Sequence, residues 1–219
     1  MKQYGFATAI CGTMAALILL VFCVWFDRSP RTFGTIVIGM AVIQFVVRRH
    51  TLAEAGFRPP GGFKKCFVEN GEQAFAGIFG GILYLGMISL LFGNSFRHIE
   101  FGFNLVYKLI FYIGFASFQQ YILSSYFVNM LADFFGDAKN KNIPIATGII
   151  FAIFHAPNWF LMLVCLPAGY LSAENFLKYR NLPFLILAHF LIGMAINFVF
   201  PDSITNGMRV GPNYFGPIN

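Results

Sequence analysis

Residues 105–129 read LVYKLIFYIGFASFQQYILSSYFVN, and how this stretch is read decides the fold. A helix needs about 20 predominantly apolar residues to cross the hydrocarbon of a bilayer, and the run is long enough. Its second half nevertheless carries Gln119, Gln120, Ser124 and Ser125. Amides and hydroxyls at that depth are costly unless the protein satisfies them. The stretch therefore reads as a membrane helix whose polar side chains face other helices or an internal cavity.

The rest of the chain fits that setting. Of 219 residues, 58% are hydrophobic and 11% charged, with mean hydropathy +0.68, outside the range of a soluble globular domain. A window of about 19 residues marks candidate spans at 5–26, 32–47, 73–92, 105–129, 145–168 and 183–200. The expected fold class is all-α, a polytopic transmembrane helix bundle of about six spans, with residues 1–219 as a single membrane domain. The second span is the shortest and suits a tilted or partly interfacial helix closed by Arg48 and Arg49. Residues 5–26 are too long for a signal-peptide core and lack a small-residue cleavage site, so this run is expected to remain as a helix. Gly77 and Gly81 form a GxxxG in the third span, a spacing that favours close helix packing.

The loop 48–72 carries FRPPGGFKK, a turn signal flanked by cations that suit an anionic membrane surface. The net charge of +6 is scattered over loops without aromatic interleaving. That pattern fits membrane lipids and topology, and no nucleic-acid partner is expected. With six crossings, the amino terminus shares a side with the 48–72 loop, the DAKNKN loop and the carboxyl tail. That side holds nine Lys or Arg against five opposite, or six with Lys108. The positive-inside rule then places both termini in the cytoplasm of an inner-membrane protein, with Glu174 to Arg180 outside. Cys11, Cys23 and Cys165 lie in apolar runs and Cys66 in a basic loop, without the spacing of a disulfide or zinc framework.

Three helices carry polar stripes. In the fourth span Ser117, Gln120, Tyr121, Ser124, Ser125 and Asn129 recur at spacings of three and four and share one face, with Gln119 at its edge. The fifth span contains FAIFHAPN, with Phe151, His155 and Asn158 in line and Pro157 freeing a carbonyl one turn back. The sixth contains AHFLIGMAIN, aligning His189, Gly193 and Asn197. If residues 130, 144 and 201 share a side, Gln120, His155 and His189 lie ten, eleven and twelve residues inward, roughly 15 to 18 Å deep at 1.5 Å per residue. They could converge on one cavity near the midplane. Two readings stand at this point: interhelical packing glue, or a functional cavity, the default for ionisable groups inside a membrane.

The arrangement resembles the CAAX protease and bacteriocin-processing (CPBP, or Abi) family of intramembrane endopeptidases over about residues 70–200. That family carries Glu-Glu-x-x-x-Arg, Phe-x-x-x-His and His-x-x-x-Asn on successive membrane helices. Here the second motif is intact as Phe151 and His155, and the third keeps His189. The Glu pair is replaced by Gln119 and Gln120, the Arg by Ser124, and the Asn by Gly193. The resemblance implies an endopeptidase acting on a membrane-anchored peptide or lipidated protein, with His155, His189, Gln119 and Gln120 at the catalytic positions. Ser124, Phe151, Asn158 and Asn197 would position the substrate. In the family a glutamate activates the attacking water and the histidines polarise the carbonyl or, in an older view, bind zinc. A carboxamide cannot accept that proton, so a histidine would have to serve as base. The alternative is a non-catalytic pseudoprotease that binds a peptide or lipid as chaperone, adaptor or immunity factor. No cofactor is expected, and no metal, because two histidines supply too few ligands for zinc.

Overall fold

The computed structural model describes residues 6–25, 30–62, 64, 67, 68, 81, 87 and 103–216. The expected span at 73–92 lies outside the described residues except at Gly81 and Met87, and with it Gly77 of the GxxxG. Helix α1 runs Phe6–Trp25 and α2 Pro30–Val42, the latter continued by a π-helical segment Ile43–Val47. Helix α3, Phe103–Gln120, passes through a second π-helical segment, Tyr121–Phe127, into α4, Val128–Phe135. Helices α5 (Asn142–Phe154), α6 (Trp159–Tyr179), α7 (Leu182–Val199) and α8 (Asp202–Thr205) follow, then two 3-10 turns, Asn206–Met208 and Gly211–Phe215. No strand occurs among the described residues.

Helices α6 and α7, at 21 and 18 residues, are long and apolar enough to cross a membrane. Ile18, Ile38, Ile110, Phe111 and Leu163 are each more than 60% exposed, an apolar outer surface that water would not tolerate and lipid does. The fold is an all-α membrane helix bundle. One buried cluster joins Leu20 of α1, Met40 of α2, Phe127, Ile143 of α5, Phe176 of α6 and Leu185 of α7.

The run 145–168 is not one span. Helix α5 stops at Phe154 because Pro157 has no N–H to donate and disfavours helical geometry in the residue before it. Asn158 then adopts an extended backbone and caps α6, its Oδ1 accepting from the Leu161 N–H at 3.2 Å. The chain reverses, and α5 and α6 form an antiparallel hairpin with their backbones touching. A Cβ on Gly148 would lie 2.5 Å from the Leu166 carbonyl oxygen, and one on Gly169 2.9 Å from Gly148 Cα. Hydropathy is equally high on both sides of the turn, so a window averages over it.

This reversal changes which loops share an end of the bundle. Arg180, after α6, donates to the Glu54 carbonyl at 3.1 Å and to Asn129 Oδ1, and the Leu182 N–H donates to the Gly56 carbonyl at 3.0 Å. Burial pulls the Arg180 guanidinium pKa down, while the carboxylates of Glu54 and Asp133 act the other way. Residues 174–180 therefore lie at the same end as the 48–58 loop and the end of α4, not opposite them as the alternation had it. The tail goes the other way. Asn158 Nδ2 donates to the Thr205 and Arg209 carbonyls at 2.7 and 3.0 Å, and the Gly211 N–H to the Ala156 carbonyl at 2.8 Å. Residues 201–216 thus pack on the 155–158 reversal, at the end remote from residues 130 and 144. The run 145–168 is thus two antiparallel helices rather than one.

Arg48, expected to close the second span, is turned into the protein. It is 7% exposed, paired with Asp133, with Nη1 donating to the Met130 sulfur at 3.1 Å. It ties the end of α2 to α4.

Candidate functional site

The polar stripe of 117–129 divides in two. In a continuous α-helix its members share one face, but residues 121–127 are wound as a π-helix, whose wider turn shifts the phase of everything beyond it. One part turns to α2. Tyr121 OH donates to Gln44 Oε1 at 3.0 Å, Gln44 Nε2 donates to the Ser125 carbonyl and hydroxyl oxygens at 3.1 Å each, and Asn129 Nδ2 donates to the Ser125 and Glu54 carbonyls at 2.7 and 3.0 Å. The other part turns to α7. Ser124 Oγ donates to Gln120 Oε1 at 2.8 Å, and Gln120 Nε2 lies 3.2 Å from His189 Nδ1. Ser117 bonds back to the Ile113 carbonyl at 2.7 Å and joins neither. Packing and cavity both claim the stripe, and the π-helical segment carries members of each.

His155 sits at the end of α5, and its Nδ1 is 2.8 Å from the Phe151 carbonyl oxygen. A carbonyl only accepts, so Nδ1 carries the proton and Nε2 keeps its lone pair. His189 has the opposite arrangement. Ser124 occupies the carboxamide oxygen of Gln120, so the amide nitrogen donates to His189 Nδ1 and the imidazole proton sits on Nε2. The Phe151 ring packs edge-on against both, with centroids 4.8 Å from His155 and 5.7 Å from His189. Both imidazoles, Gln119, Gln120 and Phe151 line one cavity of about 1630 Å³. The pair offers one nitrogen base and one N–H donor.

These three helices meet although residue 201 lies at the opposite end from 130 and 144. The depth estimate survives because His189 is near the middle of α7, where the distance to either end is similar. The other expected positions fall elsewhere. Asn158 is fully buried, its carboxamide engaged by α6 and the tail. Ser124 is buried behind Gln120, and half-buried Asn197 is not among the cavity-lining residues. Tyr112 does line the cavity and was not anticipated. It lies eight residues before Gln120, two helical turns on the same face, so the periodicity that selected Gln120 also pointed to it.

Among the described carboxylates Glu174 reaches the cavity, where it accepts from Tyr170 OH at 2.9 Å. The hairpin register sets Gly148 against 166–170, which puts Glu174 level with the start of α5, about 20 Å along that helix from His155 at 1.5 Å per residue. Glu72 and Glu100 lie outside the described residues. No three His, Cys, Asp or Glu converge among the described residues. With each Nδ1 engaged, the two imidazoles offer one nitrogen apiece, short of the three or four protein ligands of a zinc site. Among the described residues the donor set does not fit zinc.

Residues 101–195 match the family model described as type II CAAX prenyl endopeptidase Rce1-like. No curated protein and no solved structure matches the chain. The matched region runs from the start of α3 into α7 and contains Gln119, Gln120, Phe151, His155 and His189. Over this region, 101–195, the chain is similar to the CAAX-protease-related (CPBP) family of membrane endopeptidases.

Proposed function

We propose that this chain is an atypical intramembrane endopeptidase in which His155 replaces a carboxylate as general base. The observation that carries the reading is the opposed bonding of the two imidazoles, His155 Nδ1 to the Phe151 carbonyl oxygen and His189 Nδ1 to the Gln120 carboxamide nitrogen. His155 Nε2 takes a proton from water as the water oxygen bonds to the peptide carbonyl carbon. His189 Nε2–H donates to the carbonyl oxygen, and the proton held by His155 passes to the amine as the C–N bond breaks. Gln120 positions His189. Gln119, facing the cavity, holds the peptide backbone, since a carboxamide both donates and accepts.

The substrate is a membrane-anchored or lipid-modified peptide, the class named by the family description, with bilayer lipids around the apolar outer face. The single-domain reading is supported by the core shared from α1 to α7, with 70–200 as its CPBP-like part. Among the described residues, the end that holds the 48–58 loop carries Arg48, Arg49, Arg58, Lys64, Lys139, Lys141, Lys178 and Arg180, against Arg31, Lys108 and Arg209 at the other. By the positive-inside rule that end is cytoplasmic in an inner membrane, and Gly216 is outside.

A binding-only pseudoprotease is favoured by one observation: among the described residues Glu174 is the carboxylate that lines the cavity, and it stands level with the start of α5 rather than beside His155. The two readings separate when lipidated peptides are incubated with the wild type and with His155→Ala and His189→Ala variants in proteoliposomes. Product formed by the wild type and lost in both variants supports the endopeptidase. Peptide captured intact and equally by all three identifies the binding protein.

A further inference from the structure

Gly193 stands one turn after His189 on the same face of α7. A Cβ built there would lie 1.7 Å from the Tyr112 hydroxyl oxygen, 2.7 Å from its Cζ and 3.0 Å from its Cε1. The phenol of Tyr112, reaching across from α3, fills the volume that any side chain at 193 would need. Its ring also packs on Phe190, the neighbour of His189, with centroids 5.9 Å apart. Phe190 thus holds the ring while Gly193 admits the hydroxyl. Tyr112, Gly193, His155 and His189 line the same cavity, and α3 and α7 are held together beside them by the Gln120–His189 contact. A phenol hydroxyl can donate a hydrogen bond. Placed against Gly193, one turn along α7 from His189, in the cavity that His155 also lines, it suits a ligand atom that accepts two hydrogen bonds: a peptide carbonyl oxygen.

We propose that Tyr112 is a catalytic residue whose hydroxyl donates to the carbonyl oxygen of the bound peptide, forming with His189 a two-donor site for the oxyanion. The inference rests on the endopeptidase reading. As the water oxygen bonds to carbon and His155 takes its proton, the carbonyl π pair moves onto oxygen, where Tyr112 O–H and His189 N–H hold it. When the C–N bond breaks the pair returns, the proton on His155 leaves with the amine, and Tyr112 keeps its own proton throughout.

The rival account is that Gly193 merely lets α3 approach α7 and the hydroxyl is idle. Tyr112→Phe keeps the ring and the packing and removes only the donor. With a lipidated peptide in proteoliposomes, the variant is expected to lower kcat roughly 100-fold, the usual loss for one oxyanion donor, to raise KM by no more than about tenfold, and to leave thermal stability little changed. A second measurement needs no turnover. The affinity of the wild type should fall about tenfold when a thioamide replaces the amide cut, or each amide in turn if none is cut, because sulfur accepts hydrogen bonds poorly; that is a change of about 1.4 kcal/mol. In Tyr112→Phe the two peptides should bind more nearly alike. Unchanged kcat with an unchanged oxygen-to-sulfur ratio would overturn Tyr112 while leaving the endopeptidase intact. A wild type that binds without cutting would sink the endopeptidase reading and the catalytic role of Tyr112 with it, while the ratio would still decide whether its hydroxyl donates to the peptide carbonyl. Failure to bind either peptide overturns both.

Discussion

At the scale of the residue, two glutamines of similar chemistry do different things. Gln44 is 1% exposed, and its carboxamide links Tyr121 to Ser125 across the α2 interface. Gln119 faces the cavity. Gln44→Leu leaves the Tyr121 and Ser125 hydroxyls with lost partners in a closed interface and should lower stability by about 1 to 3 kcal/mol, read as earlier thermal unfolding in detergent. Gln119→Glu should fold at wild-type yield, because cavity water or a protonated histidine can meet the charge. It also adds a carboxylate base to the cavity that the imidazoles line and should raise cleavage that still depends on His155. Collapse of Gln119→Glu expression would show that position 119 is dry packing. Gln120 is a third case. A carboxylate there cannot donate to His189 Nδ1, so the carboxamide is what keeps the imidazole proton on Nε2.

At the scale of the element, the α5–α6 hairpin depends on two glycines as much as on the break at Pro157. Gly148 and Gly169 let backbones touch where a methyl group has no room, because the obstructing atoms are themselves backbone. Gly148→Ala should cost about 1 to 3 kcal/mol as overpacking. Gly39 on α2 has nothing within 4 Å of a built Cβ, so Gly39→Ala should be neutral or stabilising by up to about 1 kcal/mol, the helix preference for alanine over glycine. Thermal unfolding of the two variants side by side checks the contrast, and equal midpoints would mean the helices do not approach as described. The π-helical segment acts without such a marker: by re-phasing residues beyond Gln120 it sends Ser125 and Asn129 to α2 and the 48–58 loop while Gln120 keeps its contact with α7.

At the scale of the whole molecule, the hairpin reverses the side of everything after it. Cysteines introduced at Lys139 and Lys178 should react with an impermeant maleimide from the same side of sealed vesicles, and one at Asn213 from the other. Labelling of 139 and 178 from opposite faces would restore the single-crossing topology and remove the reason for placing His155 at a turn. The same arrangement puts the tail residues Thr205, Arg209 and Gly211 against the turn that carries His155. The segment after α7 therefore helps to hold the site in place.

The sequence alone determined that this is a helical membrane protein, because burial in lipid depends on apolar content summed along a local run, and the runs 5–26, 32–47, 105–129 and 183–200 are helical over 6–25, 32–47, 105–129 and 183–199. It also singled out Gln120, His155 and His189, since residue type and helical spacing are local properties. Even the reversal left a local signal in Pro157 and the capping Asn158, unread because apolarity continues on both sides of them. What only the tertiary structure decided was partnership. Whether Ser125 meets Gln44, whether Gly193 makes room for Tyr112 and which nitrogen of His189 carries the proton all depend on atoms from helices distant in the chain. No periodicity within a single helix encodes where another helix will stand.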